Sequence, residues 1–100
     1  MTEPQTLAEV RSRIDDLDTQ LIALLARRQA LVEAAAAFKH DEHAVRAPDR
    51  VGQVIIAVRH KAIAAGLSPA VAEQIWRSMI AAFTELELAR HRQRSIMPEQ

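Results

Sequence analysis

The chain has 100 residues, 49% of them hydrophobic but only three aromatic, with two Gly, which is the composition of an all-α domain with one small core that oligomerisation would help to complete. Thirteen basic and thirteen acidic residues balance and form no basic block, which sets aside a general nucleic-acid binder. There is no Cys, which excludes a disulfide framework and thiol chemistry.

Residues 1–5 read as a short tail. Thr6, with Glu9 three residues on, has the form of a capping box that opens a helix. Residues 7–39 contain no Gly and no Pro. Leu7, Val10, Ile14, Leu17, Leu21, Leu24, Leu31, Ala35 and Phe38 follow a three-four alternation, so the spacing predicts one very long helix ending at about Phe38 or Lys39. Such a helix runs about 50 Å, against a radius of gyration of about 13 Å for a compact chain of this size. Its seam is too long for its own chain to cover, and a partner chain is expected.

Residues 40–47 are polar, lack an apolar period and read as a loop or frayed turn. Pro48 suits the first turn of a second helix, with Val51, Val54, Ile55, Val58, Ala62 and Ala65 facing the core and Gly66 as the stop. Ser68 and Pro69 read as N-cap and first residue of a third helix. Its buried side is expected to carry Ala72, Ile75, Trp76, Met79, Ile80, Phe83 and Leu86, with Glu87 against the same stripe. Arg90, Arg92 and Arg94 suit its C-terminus, and Pro98 begins a tail. There is neither a charged-then-apolar leader nor an apolar run of about 18 residues, so the expected location is cytoplasmic.

Arg28 interrupts the apolar seam. One explanation is an arginine whose stem packs while its head reaches water. Lys39, eleven residues on, falls on the same face if the helix continues, about 20° away after three turns. Arg11 lies seventeen residues before Arg28, about 100° off that face and ~25 Å along the axis. Arg11 and Arg28 of one chain therefore cannot clamp one small molecule, whereas Arg11 of an antiparallel partner could meet Arg28 and Lys39. Cations round a buried cavity imply an anionic ligand, most simply a dicarboxylate. His40, Asp41, Glu42 and His43 are ligand-type residues, but their spacing fits no established metal site. His60 and His91 are isolated, and no phosphate loop or nucleophile elbow is present.

Arg11, the Ile14-Asp15-x-Leu17-Asp18 run, Arg28, Lys39 and Arg50 together resemble the all-α chorismate mutase family over about residues 7–94. The resemblance implies one domain of three helices in an intertwined homodimer with two active sites, each taking one Arg from the partner chain. It implies that the partner's Arg11 and Arg28 bind the two carboxylates of the substrate. Lys39 would contact the enolpyruvyl ether oxygen, Arg50 would complete the cationic wall, and no metal or cofactor would be used. Glu87 stands where many members have a Gln facing the ether oxygen. An ionised Glu cannot donate there, so it would carry a proton or pair with a cation such as Arg90 or Lys39.

The mutase pattern places an acidic acceptor for the ring hydroxyl where this chain has Val51. The run Ala47-Pro48-Asp49-Arg50-Val51, with Phe38-Lys39 before the loop and the aromatic Phe83, is similar to the isochorismate pyruvate lyase branch. That branch implies conversion of isochorismate to salicylate and pyruvate, with weak mutase activity beside it. The alternatives are a chorismate mutase, an enzyme of a related chorismate-derived acid, and an inactive helical dimer serving as a binding module.

Overall fold

The computed structural model describes residues 2–96, so Pro98 and the expected C-terminal tail lie outside the described residues. These residues form helices and no strand. In chain order they are α1 (Leu7–Ala36), α2 (Glu42–Arg46), α3 (Pro48–Ala65) and α4 (Pro69–Ile96). The chain divides after Leu31 into two compact units.

The first unit holds the N-terminal turns of α1. Thr6 Oγ1 accepts a hydrogen bond from the Glu9 backbone N–H at 3.1 Å, closing one half of the box. The Glu9 carboxylate accepts from the Gln5 backbone N–H, one residue before the cap. The Arg13 guanidinium donates to the Thr2 carbonyl, which ties the preceding residues along the first turns. α1 buries none of its residues in this chain. Leu7, Val10, Ile14, Leu17, Leu21 and Leu24 remain 37–61% exposed.

The second unit is built on α3 and α4. Val58 and Ala62 of α3 meet Ala72 of α4, with Val54 and Trp76 packed against them. Gly66 ends α3 at φ 80°, ψ 18°, a left-handed conformation that a Cβ would strain. The Leu67 N–H donates to the Ala62 carbonyl at 2.8 Å, closing the turn. Ser68 Oγ then accepts from the Val71 N–H at 3.3 Å and opens α4.

Three features differ from the sequence expectation. α1 stops at Ala36, not at Phe38 or Lys39. Phe38 and Lys39 donate to the carbonyls of Ala35 and Ala36 at 3.0 and 3.1 Å, three residues back, so the chain tightens out of the helix. The expected loop 40–47 contains the five-residue α2. Asp41 caps it by accepting from the Ala44 N–H at 2.8 Å, and Ala47 ends it in a left-handed conformation, φ 39°. Finally, the buried side of α4 is not one stripe. Ile75, expected inside, is 50% exposed, while Leu88 is fully buried. Leu88 lies about 160° round the helix from Ala72. The reason is that α4 has two partners, α3 and α2.

Arg59 of α3 and Glu73 of α4 pair at 2.9 Å, and Arg77 adds a second bond to Glu73 at 2.8 Å. The hydrogen bond from Arg77, then that from Arg59, holds the Glu73 carboxyl below the usual carboxylate range. A carboxyl lowered in the folded state stabilises the fold above its unfolded value and loses that contribution as pH falls through the folded value. Glu73→Gln is therefore expected to be less stable than wild type at neutral pH and to converge with it in acid. Urea midpoints across pH check this, and a constant gap would contradict it.

Candidate active site

Lys39 sits on the connection between α1 and α2, and Glu87 on α4, one turn after Phe83. The connection brings them together. Lys39 Nζ donates to Glu87 Oε1 at 3.2 Å and to Oε2 at 3.0 Å. Glu87 is 6% exposed and the Lys39 side chain 24%. An ammonium has three N–H donors, so with two directed at Glu87 a third is left over.

Arg50 and Val51 lie in the first turns of α3. Arg50 is exposed and Val51 half-buried. Val51 lines an open groove of about 280 Å³ with Arg46, Arg77, Ile80, Ala81, Thr84 and Glu85. Lys39, Glu87, Arg50 and Phe83 are not among those lining residues, although Phe83 is half-buried on α4. In the first unit, Arg28 is half-buried and Arg11 exposed. Arg28 and Lys39 share a face only along an unbroken helix, and α1 ends before Lys39.

The polar run that follows Lys39 has structural tasks. Asp41 caps α2, and Glu42 accepts from Arg92 at 3.0 Å. Sequence reasoning did not find Arg46, Arg77 and Thr84 as groove residues, because nothing in their spacing relates α2 to α4. It also missed the pairing of Glu33 with Arg90 and of Glu42 with Arg92. Opposite charges far apart in sequence give no local signal.

Residues 10–88 match the family model described as chorismate mutase type II. The chain is also similar to an isochorismate pyruvate lyase of Pseudomonas aeruginosa, 41% identical over 49 residues. That alignment covers 49% of this chain and 48% of the relative.

Proposed function

We propose, from the premise that this chain belongs to the chorismate mutase type II family, that it is a pericyclic enzyme converting isochorismate to salicylate and pyruvate. The observation that carries the choice of substrate is Val51. This apolar side chain, half-buried in the first turns of α3, occupies the sequence position at which the mutase pattern has an acidic acceptor for the ring hydroxyl of chorismate. Isochorismate has its hydroxyl on a different ring carbon, so loss of that acceptor suits it. The resemblance to a lyase over half the chain supports the same choice.

In this reading two arginines hold the two carboxylates, Arg28 from one chain and Arg11 from its partner. Each can bind bidentately. Arg50 adds positive charge, and Phe83 shapes the pocket beside Glu87. As the carbon–oxygen bond to the enolpyruvyl group breaks, charge develops on the ether oxygen. The remaining Lys39 N–H stabilises that charge more than it stabilises the ground state. A hydrogen moves from the ring to the enolpyruvyl methylene, and the ring becomes aromatic. The residues need only fix the folded conformer and supply positive charge. No covalent intermediate, metal or cofactor takes part.

The reading includes a homodimer. Nine large aliphatic side chains of α1 are exposed in one chain, and covering the six on the seam from Leu7 to Leu24 is worth on the order of 10 kcal/mol, an upper bound because unfolded chains already bury some surface. The reading also takes the chain as one domain of the family, with its core at about residues 7–94. No helix among the described residues is long and apolar enough to cross a membrane, and the proposed location is cytoplasmic.

The Lys39–Glu87 pair favours a second reading. A buried anion that neutralises the lysine also suits a helical dimer that binds without turnover. Separate incubations with isochorismate and chorismate distinguish the readings. Salicylate fluorescence supports the lyase. Loss of chorismate absorbance alone supports a mutase, and silence in both supports a binding module. Val51→Glu is expected to raise the ratio of mutase to lyase activity, because it restores an acceptor near the chorismate hydroxyl. An unchanged ratio in the same two assays would mean that ring-hydroxyl recognition does not separate the activities.

A further inference from the structure

Lys39 is carried by a segment with little regular structure. It lies beyond the end of α1 and before the cap of α2. Three ion pairs tie this part of the chain to α4. Glu33 pairs with Arg90 at 2.6 Å, Lys39 with Glu87 at 3.0 Å, and Glu42 with Arg92 at 3.0 Å. The signs alternate along the chain, negative, positive, negative, and each meets its opposite on α4. A slip that set Lys39 against Arg90, or Glu42 against Glu87, would bring like charges together. The pattern therefore admits one register. The two outer pairs are partly exposed, at 45%/32% and 54%/49%, while the central one is shielded.

We propose that Arg90 and Arg92 are positioning residues for Lys39. By holding Glu33 and Glu42 they fix the segment on both sides, and so fix where the lysine's free N–H points. The functional consequence rests on the reading of Lys39 as the donor beside the breaking bond. A long lysine side chain on an irregular connection would otherwise sample many rotamers. Glu87 fixes only the tip of that side chain, while the outer pairs fix the backbone it hangs from. Partly exposed ion pairs are individually weak, so each arginine is expected to change Lys39 order by about two- to fivefold, and the two together by more.

The chain has two lysines, Lys39 and Lys61, and Lys61 is exposed on α3, which makes it an internal reference. The experiment is NMR of the lysine ammonium groups in the full, ligand-free protein. It reads the hydrogen exchange of Lys39 Nζ and the hydrogen-bond coupling from Nζ to the Glu87 carboxylate carbon. Arg90→Gln, Arg92→Gln and the double variant are compared with Arg59→Gln, which removes an α4 ion pair away from this segment. In the double variant, Lys39 exchange is expected to rise about fivefold or more and the coupling to shrink. Arg59→Gln should leave both near wild type. The charge exchange Glu42→Arg with Arg92→Glu should recover most of the order lost in Arg92→Gln, and it keeps the test open should the double variant fail to fold. Lys39 exchange and coupling within twofold of wild type in the arginine variants would overturn the proposal. With isochorismate, the same variants should lose kcat in step with Lys39 order, with KM little changed. The NMR readout needs no turnover. A wild-type protein inactive on both acids would contradict the proposed reaction, whereas unchanged Lys39 order would contradict the positioning role.

Discussion

Lys39→Ala is expected to lower kcat for salicylate formation by roughly 10²-fold or more, the scale of losing one oxyanion donor. The substitution removes the donor proposed to lie beside the ether oxygen, and it leaves Glu87 with neither of its two Lys39 hydrogen bonds. A buried carboxylate without its partner is costly, so some loss of stability should accompany the loss of rate. The fold should survive, because Lys39 lies outside the helices and the α3–α4 core is built from Val58, Ala62 and Ala72. Adding Glu87→Gln to Lys39→Ala removes the unpaired charge and should recover stability without recovering rate. Steady-state kinetics and urea unfolding on the same preparations separate the two effects. A single variant within twofold of wild type in kcat would remove Lys39 from the mechanism.

Arg11→Ala and Arg28→Ala are each expected to be nearly inactive alone, and to recover activity when mixed. In the proposed homodimer each site would use Arg11 from one chain and Arg28 from the other, so a heterodimer of the two variants would have one intact site and one doubly damaged site. Co-refolding an equal mixture gives heterodimers as about half of all dimers if pairing is random. One working site in each would restore about a quarter of wild-type activity, an estimate that follows from site independence. Recovery to that level requires both the dimer and the exchange of Arg11 between chains. If tagged heterodimers form and stay inactive, each site is built from a single chain.

Much of the helical framework was legible in the sequence because its punctuation is local. Gly66 stops α3, and Ser68 with Pro69 starts α4, each through hydrogen bonds that reach only a few residues. The end of α1 is not legible in the sequence, since no Gly or Pro marks Ala36 and Ala37 and Lys39 are good helix formers. Its last turns give way to a segment tied elsewhere by Asp41, Glu42 and Lys39. α2 is not legible as a helix because five residues are too few to show a period. Leu88 was missed because a one-stripe reading of α4 allows for one partner, and the helix has two. The pairing of Lys39 with Glu87 was one of two arrangements that the residue types allowed. The choice between them needed the path of the chain.

The most direct measurement follows one hydrogen. Isochorismate carrying deuterium on the ring carbon that bears its hydroxyl is incubated with the protein, and the products are read by NMR. The account requires salicylate and pyruvate in equal amounts, with the deuterium in the pyruvate methyl group, because the hydrogen passes within one substrate molecule as the carbon–oxygen bond breaks. Equal products with the deuterium lost to water would contradict the pericyclic step, and absence of salicylate would contradict the reaction itself.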